Sequence, residues 1–124
     1  MPKQAITPPD VSVAAPGYSA AVLASGTRTL FISGQGPRDY DATPETQVRE
    51  TFEQIGSLLH AAGGSFDDIT MIRAYLVHLQ RDLPAFRKVR LEFLEDPYPA
   101  ATVVGVTELA VEGLEIEIEA VAVL

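Results

Sequence analysis

The chain has no cysteine and only two histidines, His60 and His78. The first absence excludes disulfides, thiol nucleophiles and cysteine-based metal sites. The second excludes a histidine-rich metal cluster, and His60 and His78 read as ordinary polar residues. No metal and no cofactor is expected. Basic residues are scarce: 9 Lys and Arg stand against 17 Asp and Glu, a formal charge of −8. That balance disfavours a nucleic-acid partner, which needs a basic footprint, and an anionic membrane surface. It also aids solubility. No run is long and apolar enough to cross a membrane. The start, Met1-Pro2-Lys3-Gln4-Ala5-Ile6, lacks the apolar region of a signal peptide, so a cytoplasmic location is expected. Gly-rich phosphate loops, nucleophile elbows and zinc spacings are missing too. There is no low-complexity tract and no linker.

What is present suits one soluble domain over residues 1–124, with 47% hydrophobic and 21% charged residues. The C-terminal run is the most informative. In Leu114-Glu115-Ile116-Glu117-Ile118-Glu119-Ala120-Val121-Ala122-Val123, period-2 alternation puts Leu114, Ile116, Ile118, Ala120 and Ala122 on one strand face. Glu115, Glu117 and Glu119 share the other face with Val121 and Val123. A purely solvated face would not turn apolar halfway along; an interface or a pocket wall would.

The remaining elements follow from local signals. Residues 1–17, with Pro2, Pro8, Pro9 and Pro16, read as a short edge strand around Gln4-Ala5-Ile6 and then an irregular extended arm. Strands are expected over Tyr18–Ala24 and Thr29–Ser33, joined by Ser25-Gly26-Thr27-Arg28 as a hairpin. Thr43 as N-cap, Pro44 in the first turn and Glu45 at the positive end begin a helix. Its apolar positions are Val48, Phe52, Ile55, Leu58 and Leu59, and Gly63-Gly64 stops it. A strand over Asp68–His78 follows. Asp82-Leu83-Pro84 begins a second helix, whose apolar residues are Leu83, Phe86, Val89, Phe93 and Leu94, and Asp96-Pro97-Tyr98-Pro99 ends it. Strands over Ala101–Val106 and Leu114–Val123 complete an α+β fold. The expectation is one mostly antiparallel six-stranded sheet with two helices on one face. The uncovered face still carries apolar groups, which predicts self-association.

Four segments also carry a resemblance. Pro99-Ala100-x-Thr102-x-Val104 with Ile116-Glu117-Ile118-Glu119-Ala120, Gly17-Tyr18-Ser19-x-Ala21-Val22, Phe31-Ile32-Ser33-Gly34-Gln35 and Ala61-Ala62-Gly63-Gly64 leading to Asp68-Ile69 match, in order, motifs of the RidA/YjgF family. The chain resembles this family over residues 15–123. The resemblance implies a chorismate-mutase-like fold, a homotrimer and clefts between subunits that act on small imines and enamines. One residue departs: Ala101 stands where the family's deaminases carry an Arg. That Arg is implied to grip the substrate carboxylate through its guanidinium fork. Ala101 therefore argues against the usual action on 2-aminoacrylate or 2-iminobutyrate.

Carried over residue by residue, the resemblance makes Glu117 the catalytic carboxylate that positions or activates water. The other reading is an interface glutamate. Tyr18 matches a pocket tyrosine, and its ring could equally pack between subunits. Ser33 and Gly34 match the strand end that lends a hydroxyl and a backbone N–H to the cleft, or they form a plain exit from a strand. Ala101 and Val103 would line the cleft, with Val104 beside them. Arg87 falls where the family has a pocket Asn, and Arg90 where it has Tyr. Arg87, or Arg73, could supply the missing guanidinium, or both could be ion-pair residues. The leading expectation is an enzyme that hydrolyses or tautomerises an imine-type metabolite in a subunit cleft. The alternative is a non-catalytic trimer that binds a small ligand or a protein. Chorismate-mutase chemistry, on fold alone, ranks below both.

Overall fold

The computed structural model describes residues 3–13 and 16–124. The expected N-terminal arm includes residues outside this set. Strands β1 (Lys3–Ile6), β2 (Ala21–Ala24) and β3 (Thr29–Gln35) are followed by helix α1 (Pro44–Ala61). After a single 3₁₀ turn come β4 (Ile69–Leu76), α2 (Leu79–Phe93), β5 (Ala100–Gly105) and β6 (Ile116–Val123). The main sheet runs β3-β6-β4-β5, with β4 and β5 parallel and the other neighbours antiparallel.

The α+β class, the two helices and the mostly antiparallel main sheet agree with the sequence. The single six-stranded sheet does not: the main sheet has four strands, and β1 and β2 form a separate two-stranded one. The expected β2–β3 hairpin is also absent, because β2 pairs with β1 and β3 pairs with β6. Two anchors explain this. Ser19 N–H donates to Pro99 O at 2.9 Å, which ties the start of β2 to the β5 edge. Thr27 and Arg28 N–H both donate to Leu124 O, at 3.0 and 3.1 Å, which ties the following turn to the end of β6. The segment between must cross from one part of the sheet to another, so β2 cannot run beside β3.

Helix α1 begins as its sequence implies, with the Thr43 side chain accepting from Thr46 N–H and Pro44 in the first turn. Gly63, with φ of +82°, lets the chain leave the helix. Val48, Phe52, Ile55 and Leu59 are fully buried, whereas Leu58 points outward. Helix α2 starts three residues earlier than Asp82 suggested: Asp82 N–H donates to His78 O, and Pro84 lies inside the helix. Proline removes one helical donor but is tolerated close to a helix start. Phe52 packs against Phe93, ring centroids 5.2 Å apart, and against Phe86 at 6.4 Å, which joins the helices over the sheet.

The β6 alternation is borne out. Leu114, Ile116, Ile118, Ala120 and Ala122 are buried under the helices. Glu117, Glu119, Val121 and Val123 face the uncovered side with intermediate exposure. Phe31, 77% exposed, lies opposite Val121 on that side.

Candidate functional site

Glu115, just before β6, and Glu117 and Glu119 within it differ in what they touch. Glu115 accepts from Arg81 Nη2 and contacts His78 Nε2, both at 2.9 Å. The Arg81 bond, more than any other cause, holds the Glu115 carboxyl below the usual carboxylate range. Glu119 accepts from Tyr75 Oη at 2.8 Å and from Arg73 Nη1 at 3.2 Å. That bond, together with burial and the Glu119 charge, raises the Tyr75 phenol pKa. Glu117, between them, makes no hydrogen bond or ion pair among the described residues. A half-buried carboxylate with free lone pairs can accept a proton from water or ligand.

Gly34 lies against the Glu117 carboxylate, whereas Ser33 lines a hollow with Arg73 and Glu119. The β3–β6 register slips between Ile32 and Gln35, so Ser33 and Gly34 bulge where β6 offers one. Bulges re-aim side chains and are frequent beside active sites. A Cβ on Gly34 would overlap the Glu117 carboxylate. Glycine here is a matter of space, because its φ is not positive. Gly34→Ala is expected to displace the Glu117 side chain, which is flexible. The melting temperature should therefore move little, by the equivalent of about 0.5 kcal/mol, while any activity that depends on Glu117 falls. Thermal melts beside a crystal structure of the variant check this. An undisturbed Glu117 would contradict it.

The other candidates lie elsewhere. Across β4 and β5, Ala120, Ile72 and Ala101 are aligned, as are Ile118, Ala74 and Val103, and Glu117, Tyr75 and Val104. Side chains in one aligned row share a face. Ala101 and Val103 therefore face the helices, whereas Glu117 and Val104 face the open side. The expectation that Val103 and Val104 line one wall is corrected by this alternation.

On the helix side, Ala101 and Val103 join Tyr18, Arg87, Arg90, Leu79 and Leu83 around a cavity of about 250 Å³. Tyr18 precedes β2, and its ring lies 5.7 Å from the Arg90 guanidinium carbon. Gly17 beside it has φ of +99°, and a Cβ there would come within 2.6 Å of Arg90 Nε. Glycine at position 17 is thus required twice over. Of the two proposed replacement guanidiniums, Arg73 is committed to Glu119, 3.2 Å away. Arg87 makes no ion pair among the described residues and lines the cavity. Arg90, to which the sequence assigned no role, is buried against the same cavity. A single arginine in an acidic chain carries no signal of burial; only its fit between Phe86 and Gly17 reveals it.

The structure thus gathers Tyr18, Arg87, Ala101 and Val103 at one place and Gly34 and Glu117 at another, with Ser33 next to Gly34 in the chain but lining a hollow with Glu119. A wider groove of about 590 Å³, between Val77 and the 107–115 loop, holds none of them. No helix is long and apolar enough to cross a membrane, among the described residues.

Comparisons with known proteins fit this architecture. A family model described as Endoribonuclease L-PSP matches residues 10–124. The chain is 38% identical over 110 residues to the RutC family protein YjgH of Escherichia coli, covering 85% of this chain and 81% of that protein. It is 26% identical over 129 residues to a 2-iminobutanoate/2-iminopropanoate deaminase of Dermatophagoides farinae, covering 99% and 98%. The crystal structure of a Rid-family protein of unknown function, YyfB from Yersinia pestis, superposes with a TM-score of 0.88 at 31% identity, covering all of both chains.

Proposed function

This chain belongs to the Endoribonuclease L-PSP family, the RidA/YjgF group, and from that premise we propose that it is a small-molecule enzyme working in clefts between subunits of a homotrimer. The reaction is hydrolysis or tautomerisation of an imine or enamine. The observation that carries this reading is Glu117: unlike Glu115 and Glu119 it is unengaged among the described residues, and it rests on a glycine that keeps space for it.

In hydrolysis, Glu117 takes a proton from a water whose oxygen bonds to the imine carbon, and the C=N electron pair moves to nitrogen. That proton passes to the nitrogen, which gives a carbinolamine. The carboxylate then takes the hydroxyl proton and passes it to the same nitrogen, the C–N bond breaks with its electron pair leaving on ammonia, and the carbonyl forms. The Gly34 backbone lies beside this carboxylate, and with the neighbouring Ser33 it would orient the reacting end. In tautomerisation the same carboxylate moves the proton between carbon and nitrogen without water.

The division of the candidates between two sheet faces supports a cleft completed by a second copy. One chain's Glu117 and its own Ala101 pocket cannot close on one small molecule. The exposed Phe31, with Val121 and Val123, gives the open face apolar area that self-association would bury. Sedimentation should show a trimer at micromolar concentration, and that trimer should accelerate loss of at least one imine generated in situ from an amino acid. A monomer refutes the shared cleft. A trimer inert towards a broad imine panel refutes the enzymatic reading.

A ligand-binding trimer without chemistry is the second reading, favoured by Ala101, which removes the family's carboxylate grip. RNA cleavage, which the family's description suggests, fits poorly with a charge of −8.

A further inference from the structure

Acidic residues outnumber basic ones 17 to 9, so most cations here find a partner. Arg38, Arg49, Arg73, Arg81 and Lys88 all form ion pairs. Lys3 and Arg28 donate to backbone carbonyls instead, and Arg87 and Arg90, among the described residues, meet no carboxylate either. Arg87 and Arg90 stand at i and i+3 on α2, so they share a helix face, and both line the 250 Å³ cavity beside Ala101.

Arg90 is only 3% exposed. Its guanidinium lies over the Phe86 ring, 5.2 Å from the centroid, and donates through Nη2 to Pro16 O. Its Nε has no hydrogen-bond partner. Burial first, and the Arg87 charge after it, pull its pKa down. A desolvated cation beside a second cation, with no counter-charge, is costly unless an anion joins it. The rest of the wall is mostly hydrocarbon, from Leu79, Leu83, Ala101 and Val103, with Tyr18 beside them.

The geometry points to an organic-anion site on the helix side of the sheet. Arg87 and Arg90 take the carboxylate or phosphate end of a ligand, and Leu79, Leu83 and Val103 take its hydrocarbon segment. The anion is gripped from α2 instead of from β5, where Ala101 offers no donor. A polar imine one bond from the anion would be pressed against Leu and Val side chains. The favoured ligand therefore has a hydrocarbon spacer between its anionic and reacting ends. This inference deepens the imine-processing reading, and only the identity of the reacting end rests on that reading.

The test is binding, measured by calorimetry on the full-length protein without turnover. Hexanoate should bind at least about tenfold more tightly than the uncharged hexanamide, the worth of one charge-assisted hydrogen bond, and added salt should weaken it. Hexyl phosphate in a parallel arm identifies the preferred head group. Arg87→Gln should weaken hexanoate by about tenfold or more. Arg87 is exposed and unpaired, so this variant keeps its fold. Arg90→Lys keeps the charge but loses the fork, and it should weaken binding too. Hexanoate binding no better than hexanamide, or undiminished in Arg87→Gln, overturns the site. Hexanoate binding in a protein that turns over no imine leaves the anion site standing and removes the enzymatic reading. Imine turnover without hexanoate binding does the reverse.

Discussion

Glu117→Gln is expected to lower turnover of a responsive imine by about 100-fold or more while leaving the fold unchanged. Glutamine keeps the shape and most of the hydrogen-bonding capacity of glutamate but cannot take up a proton. The usual worth of a positioned general base is about 10²–10⁴-fold. The structure gives a reason to expect no stability loss: among the described residues Glu117 has no ion pair to break, unlike Glu115 with Arg81 and Glu119 with Arg73. Glu119→Gln is the informative control, because it weakens an ion pair on the same face without touching the free carboxylate. Melting temperature, sedimentation and initial rates should be measured together. Unchanged turnover with a weakened trimer would make Glu117 an interface residue and end its catalytic assignment.

The compact 2-imino acids should be poor substrates of the native chain and better ones of a variant that moves the positive charge back to β5. Losing a charge-assisted carboxylate grip costs about 2–4 kcal/mol of transition-state binding, or about 30- to 1000-fold in rate. Ala101→Arg alone would place a third guanidinium in a cavity of about 250 Å³ that already holds Arg87 and Arg90. Combining it with Arg90→Tyr keeps the charge balance and opens room for the fork. The double variant should raise kcat/KM for 2-iminobutanoate by a factor in that range and lose hexanoate binding. Arg90→Tyr also gives up the bond to Pro16 O, so the melt must show a folded protein first. A folded double variant with no gain would mean that the grip on β5 is not what limits these substrates. Efficient turnover by the native chain would mean that Arg87 and Arg90 already serve compact imino acids, and the spacer argument would fall.

The candidate site residues stand out in the sequence itself. Each motif residue is a local feature: a glycine at a strand end, a tyrosine before a strand, glutamates at every second position. The Ser33-Gly34 bulge was not legible, because a register slip depends on β6, more than eighty residues away in the chain. Nor could Glu117 be told from Glu115 and Glu119. What separates them is whether a guanidinium from β4 or from the start of α2 reaches them.

The sequence by itself determined the family, the two helices, the Thr43 cap of α1, and the buried face of β6. These depend on periods of two and of about 3.6 residues and on short motifs, which are local properties of a chain. Only the tertiary structure decided that β2 leaves β3 for β1, that Ala101 and Glu117 lie on opposite faces, and that Arg90 sits buried without a counter-charge. Those outcomes rest on Ser19 meeting Pro99, Leu124 holding Thr27 and Arg28, and Gly17 making space for a guanidinium 73 residues further along. Contacts between residues so far apart are set by packing the whole chain, and no local pattern encodes them.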